Sequence, residues 1–338
     1  HTNPRLLIDF SGNKIFENAT VDVNILLLEK ATNAGQTEAV TLGKDFRLSA
    51  ENLSLYVEQH AVSSAFTTSS SWLILSPIEA SIRRKIEEVG TPLKDWDITI
   101  KRGILTGYNE AFIISTAKRN EILANCQSEE ERQRTADLIR PILRGKDIKR
   151  YGYDWAGLWL INTHNGVKGE LPPINITLYP AIKAHLDSHW DRIARRSDQG
   201  VTPYNLRDCT YVEDFDKPKI IFQEIVQESQ FFFDSNGEFL CNDTCRIITG
   251  EKLNYLLLIL NSSLFFYAVK HFYGGGGLGK DGVRMKHTFF QDFPSLPYDE
   301  DLDLLIGSND IDRIDRAIFK SYQLSKDEIQ AVLKDESE

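Results

Sequence analysis

A phosphate-cradling loop, a metal clasp and a carboxylate group are the kinds of chemistry that residue type and spacing in this chain first suggest. The run from Gly274 to Lys280 has the spacing of a glycine loop whose bare N–H groups and lysine meet phosphate oxygens. Position 281 is Asp, however, where a Ser or Thr hydroxyl should meet magnesium, and the stretch before it reads as helix and not strand. A nucleotide loop is therefore not expected. The better physical reading is a loop whose backbone can approach phosphate closely, with Lys280, Arg284, Lys286 and His287 supplying charge. His185 and His189 stand one helical turn apart, yet no Glu follows the first and no third ligand is evident, so helix surface is the expected role. Cys241 and Cys245 are separated by three residues with no second pair, which reads as packing. Glu213, Asp214 and Asp216 followed by Glu224 approximate a nuclease metal site, but Ile225 and Val226 stand where its lysine is required.

The elements that must position these residues read as α+β. Leu6–Phe10 and Val21–Leu28 are strand-like and joined by a loop, and Pro77–Val89 is a helix with Ile78, Ile82 and Ile86 at helical spacing. From Asp97 to Ile114 the pattern predicts a strand, a turn at Gly103 and a second strand, a hairpin. Ser115 and Thr116 stand where a helix cap belongs, and Glu121–Arg140 reads helical up to Pro141. Strands follow at Leu158–Asn162, Lys219–Glu224 and Gln230–Phe233, the last two suited to antiparallel pairing, and one long apolar helix covers Leu253–Phe272. No internal repeat is visible.

The bulk composition permits two ordinary domains or one large one: 338 residues, 41% of them hydrophobic. Four cysteines are too few for a disulfide scaffold and fit reduced cytoplasm. The longest apolar stretch, Leu253 to Val269, is interrupted by Asn254, Asn261, Ser262 and Ser263, and Asn3 to Arg5 leads into a strand and not a leader, so no membrane association is expected. The net charge of −10 has the wrong sign for a phosphate partner, but it is concentrated. Residues 298–338 carry twelve acids and five bases, leaving −3 for residues 1–297. Between Lys101 and Trp159 eleven bases face eight acids, and between Lys270 and Phe290 four face one. Local sign governs where a polyanion can lie.

The run Gly103 to Phe112, followed some thirty residues later by Ile139 to Tyr151, resembles the opening of the TaqI-like target-recognition domain of adenine-specific DNA methyltransferases and type IIG enzymes. Further phrases occur in the order that family would have them. Ile8 to Glu29 is similar to the last strands of an adenine-N6 methyltransferase catalytic domain, and Ser76 to Glu87 with Gly90 to Leu93 and Trp96 to Ile98 resembles the family's entry helix. Arg195, Arg196, Gly200, Tyr204, Leu206 and Arg207 match a mid-domain phrase, Lys217 to Ile221 the strand after it, Leu258 to Phe265 a late helix and Phe293 to Pro297 the closing strand. Ile311 to Ile329 resembles the C-terminal helix pair of type IIG methyltransferases.

That resemblance implies terminal strands of a methyltransferase sheet at 1–30, a helical connector at 31–96, a mixed, β-rich target-recognition domain at 97–297 and an acidic helical tail at 298–338. It implies sequence-specific recognition of double-stranded DNA in a bacterial or archaeal restriction-modification or phage-defence system. The chemistry would lie in an upstream methyltransferase domain of the same polypeptide, which would bind S-adenosylmethionine, with magnesium if a nuclease domain is also present. Neither the base-holding Asn-Pro-Pro-Tyr loop nor a glycine loop for the methyl donor is found here, so this stretch is expected to hold no cofactor and to be inactive alone. Arginine forks suit guanine O6 and N7, Asn suits adenine, and either cation suits phosphate. The resemblance thus nominates Arg102, Tyr108, Asn109, Arg144, Lys146, Lys149, Arg150, Arg195, Arg196, Lys280, Arg284 and Lys286 for DNA contact. For single residues there are plainer roles: Tyr108 and Asn109 could shape the turn after Gly107, and Arg144 with Asp147 could form a surface ion pair. Two other classes remain open: a protein-interaction module working through the acidic tail and the apolar helix, and a metal-dependent hydrolase built on Asp214, Asp216 and Glu224.

Overall fold

The computed structural model describes the chain apart from residues 1, 11, 12, 14, 17–20, 22, 44, 45, 47–51, 69–71, 275–281, 286, 309 and 338. The fold is α+β and divides into two compact units, His1–Glu88 with Leu324–Ala331 and Val89–Gln323 with Val332–Glu338.

In the first unit β1 (Asn3–Asp9), β2 (Asn24–Glu29), β3 (Thr37–Thr41) and β4 (Val62–Ser64) form a sheet of order β2-β1-β3-β4, antiparallel except for the parallel pair β1 and β3. Ile8, Phe10, Val40, Leu42 and Phe46 make its core, with Leu53 and Val57 of α1 (Leu53–His60) packed against it. β2 is different: Ile25, Leu26, Leu27 and Leu28 are all exposed on an edge strand. The helix expected at Pro77–Val89 is present with those bounds (α2); Ile82 and Ile86 are buried while Ile78 faces solvent.

The second unit holds two four-stranded sheets. The strands of these two sheets in chain order are β5 (Ile98–Arg102), β6 (Ile113–Ser115), β7 (Ile139–Leu143), β8 (Leu158–Ile161), β9 (Lys219–Gln223), β10 (Phe231–Asp234), β11 (Leu240–Cys241) and β12 (Cys245–Gly250). One sheet runs β10-β9-β12-β5 and is antiparallel throughout; the other runs β11-β7-β8-β6. Period-two alternation gives β9 and β12 two apolar faces. Ile221 and Ile247 join the core that the second sheet supplies through Ile114, Ile142 and Leu160. On the opposite face Phe222 and Phe231 stack at 4.9 Å and meet Phe290 and Phe265 edge-on at 5.5 and 5.6 Å. Lys219, fully buried, is held by Asp234 of the neighbouring strand at 2.7 Å and by the Phe215 carbonyl.

Three sequence expectations are corrected. The strands flanking Gly103 do not form a hairpin: β5 and β6 lie in different sheets, separated by a short helical turn, Asn109–Phe112. The helix expected at 121–140 is two, α3 (Thr116–Ala124) and α4 (Glu129–Leu138), because Ser128 caps the second by accepting the Glu131 N–H. Ser115 caps the first, as its type suggests. The apolar helix expected over Leu253–Phe272 bends by 66° between α5 (Leu253–Leu260) and the segment Ser263–Tyr273. Here Asn261 leaves the helix to bond both the N–H and the carbonyl of Phe231, and Ser262 caps α6 (Ser263–Ala268). Among the described residues no single helix is long and apolar enough to cross a membrane. Asp315 of α7 (Ile311–Ser321) is buried and accepts from the N–H and hydroxyl of Ser263, so this acidic segment is anchored to the apolar helices.

Candidate nucleic-acid interface

The sheet β10-β9-β12-β5 ends at Gln223, Cys245 and Arg102, and several sequence-nominated cations gather at that edge. Arg102 and Arg246 are directly paired across β5 and β12, so both side chains leave the same face. The Arg246 guanidinium donates to Glu224 at 2.8 Å, and Arg102 stands 3.8 Å from Asp243. The edge is closed by the turn Asn242–Thr244. Gly103 and Ile104 donate to the carbonyls of Cys245 and Cys241, and a Cβ on Gly103 would lie 1.9 Å from the Asn242 oxygen. This close approach explains the first glycine of the signature run: no side chain fits there. It also carries the chain from one sheet to the other.

The phrase Arg144 to Asp147 arrives on the same turn. Gly145 donates to the Thr244 hydroxyl at 2.9 Å, and a Cβ on it would press on Gln223 at 2.8 Å. Arg144 grips both oxygens of Asp147, at 3.0 and 2.7 Å, while the carboxylate also takes the Arg144 N–H. Asp147 is buried, so the pair is a structural clamp, not the surface pair considered from sequence. Burial pushes the Asp147 carboxyl upward, yet the Arg144 bonds outweigh it and hold it below its ordinary value. The clamp leaves Lys146 at the tip of the turn, exposed. Lys149 donates to the Lys146 carbonyl and lies 3.9 Å from Asp154. Arg150 is largely buried, bonded to the Ser229 carbonyl and 3.9 Å from Glu228.

Arg284 joins this edge through the strand pair Ile225–Val226 with Val283–Arg284, where it stands opposite Ile225, and the next residue, Met285, donates to the Glu224 carbonyl. Its side chain is exposed. Lys280 and Lys286 lie outside the described residues.

Tyr108, Asn109, Arg195 and Arg196 form a second group, around Gly107. With φ of +71°, Gly107 takes a conformation that favours glycine, and Thr106 and Asn109 bond side chain to side chain across it. Tyr108 is partly buried against the core, edge-on to His189, and its hydrogen bond to Glu110 raises the phenol above its ordinary value. Arg196 departs from its nominated role. It is 7% exposed, lies over the Phe112 ring and donates to the carbonyls of Thr106, Ile193, Pro203 and Asn205. A guanidinium so enclosed holds the loop in shape and has no face left for a duplex. Its neighbour Arg195 and Asn109 are exposed. Lys146, Arg284 and Arg195 have no ion pair with a described residue, so their charge is available to solvent.

Arg246 is not among the residues nominated from sequence, because it lies in an apolar strand that no phrase of the family resemblance covers. A charged residue opening the otherwise apolar run Ile247, Ile248 was the available signal.

The carboxylates weighed for metal chemistry are tied to separate cations: Asp214 to Lys101 and Lys217, Asp216 to Arg140 and Glu224 to Arg246. Among the described residues no group of three or more His, Cys, Asp or Glu could hold a metal ion. His185 bonds the Ala111 carbonyl and meets His189 edge-on at 5.1 Å between ring centres, and Cys241 and Cys245 are buried thiols.

Comparison with known proteins matches residues 140–275 to the TaqI-like C-terminal specificity domain family. The fold is similar to that of the type IIL restriction-modification enzyme MmeI, solved in complex with DNA, with a TM-score of 0.56 at 10% identity over 99% of this chain and 46% of that one. The type IIG restriction endonuclease BpuSI aligns over 92% of this chain and 38% of its own, at 12% identity and a TM-score of 0.41. The chain thus spans less than half the length of either.

Proposed function

From the premise that residues 140–275 are a TaqI-like C-terminal specificity domain, we infer that this chain selects the DNA target of a larger restriction-modification enzyme. The observation that carries this reading is the convergence of Arg102, Lys146, Arg246 and Arg284 on one sheet edge, in a chain whose overall charge is acidic. Exposed Lys146 and Arg284, with Arg195 and Asn109 of the second group, suit phosphate contact, which fixes position without reading sequence. Arg144, Arg150 and Arg196 act one step back, shaping the loops that present the others.

The chemistry belongs to a methyltransferase domain outside this chain, which binds S-adenosylmethionine and transfers its methyl group to adenine N6; magnesium is needed only if a nuclease domain accompanies it. The system serves restriction or phage defence in a bacterial or archaeal cytoplasm. The uncovered apolar strand β2 supports a partner domain, since four adjacent exposed aliphatic side chains on an edge strand call for a neighbour.

Mobility shift of mixed-sequence duplex at low and moderate salt, with this chain and with the full-length protein, tests the reading, alongside incubation with labelled S-adenosylmethionine. Retarded duplex with no methyl incorporation by the chain alone is expected. Incorporation by the chain alone would relocate the catalytic machinery, and absence of any shift by the full-length protein would remove the DNA role.

A further inference from the structure

We propose that Arg246, together with its cross-strand partner Arg102, is a base-reading pair that recognises guanine. This rests on the DNA-recognition reading above and gives it a specific pair of readers.

Arg246 grows from a central strand, not a loop, and is 9% exposed, so its backbone is fixed by ladders on both sides. Its Nε is buried and has no hydrogen-bond partner among the described residues; the same is true of Arg102, the residue directly opposite. Two unsatisfied guanidinium donors in one register are uncommon, because a buried donor without an acceptor loses its water and gains nothing. The remaining contacts are single: one oxygen of Glu224 for Arg246 and one of Asp243, at 3.8 Å, for Arg102. Each guanidinium therefore has most of its donors unused in the free protein.

Cross-strand neighbours sit about 5 Å apart at their Cβ atoms, which lets two long side chains converge on adjacent base edges stacked about 3.4 Å apart. Phosphate contact is the alternative for the same chemistry. Arg246, whose side chain is largely buried, is less suited to it than Lys146 and Arg284, which are exposed. A fork anchored by a carboxylate and aimed from a rigid strand matches the paired acceptors of guanine, O6 and N7. Glu224 and Asp243 are positioning residues in this scheme: they hold the forks in the free protein and yield part of that hold when guanine offers acceptors.

Arg246→Lys keeps the charge and the ion pair with Glu224 but removes the fork. Selection of bound duplexes from a random-sequence library, using the full-length protein and this variant, reads the difference directly, and Lys146→Ala serves as a phosphate control. The wild type is expected to enrich a site containing guanine. Arg246→Lys should lose preference for guanine at one position by about tenfold to a hundredfold, while unselected duplex binds within about threefold of wild type. A uniform loss on all sequences with a flatter salt dependence would make Arg246 a phosphate contact and overturn the proposal, as would an unchanged preference. If the wild type itself enriches nothing, the DNA-recognition reading fails, and not merely this assignment. Unaltered thermal unfolding of the variant excludes loss of fold as the cause.

Discussion

Arg144 grips both carboxylate oxygens of buried Asp147, three residues ahead, and donates its own main-chain N–H to the same carboxylate. This clamp fixes the turn that carries Lys146 and sets Gly145 against Thr244, so a signature phrase rich in charge is first a folding device and only then a surface. Asp147→Ala should destabilise the protein by about 2–4 kcal/mol, because it leaves a half-buried guanidinium without its carboxylate. Chemical denaturation checks it; a loss below about 0.5 kcal/mol would show the pair to be ornamental.

Asn261 replaces a strand beside Phe231, bonding its N–H at 3.0 Å and its carbonyl at 2.9 Å, all buried. Asn261→Leu removes both bonds and leaves two main-chain groups unsatisfied. A loss of about 2–4 kcal/mol is expected by urea unfolding. Stability equal to wild type would show that the bend between the apolar helices is held by packing alone.

Glu328 gives the first unit a pH dependence. Burial raises its carboxyl, but bonds from Lys85, the Ser325 N–H and Ser81 outweigh this and bring it down to about 2. A group whose folded value is depressed stabilises above its unfolded value and loses that contribution as pH falls. Stability should therefore decline from about pH 4.5 to pH 2, by at most about 3 kcal/mol from this group. Glu328→Gln should remove that part of the acid sensitivity while lowering stability at pH 7. A variant with the wild-type acid profile would place the dependence elsewhere.

How much of this could be read beforehand depends on range. The helix Pro77–Val89 was legible because its apolar spacing and proline start are local. The pairing of Lys219–Gln223 with Phe231–Asp234 was legible because a short connection favours antiparallel neighbours. The segment across Gly103 was not: two strands with a turn look like a hairpin, and only the carbonyls of Cys241 and Cys245, some 140 residues away, direct the two strands into separate sheets. Burial of cations was equally hidden. Arg195 and Arg196 are adjacent and chemically identical, yet one faces solvent and the other is enclosed by four carbonyls. Arg246 lies in an apolar run, whose pattern marks a core strand and not a binding surface.

Gly103→Ala tests the approach of the two sheets. A methyl group 1.9 Å from the Asn242 oxygen forces main chain to move, and the neighbouring atom is backbone, not a flexible tip. Thermal unfolding should show loss of several degrees or failure to fold. A variant as stable as wild type would mean the turn at Asn242 can retreat without cost.

The proposed function lays duplex DNA against the edge marked by Lys146 and Arg284. Titration of labelled duplex with the full-length protein over a range of salt concentrations measures how many cations meet phosphate. In Lys146→Ala with Arg284→Ala the slope of log affinity against log salt should fall in magnitude by about two, with every sequence weakened alike. A slope equal to wild type in the folded double variant would place the DNA elsewhere and contradict the account.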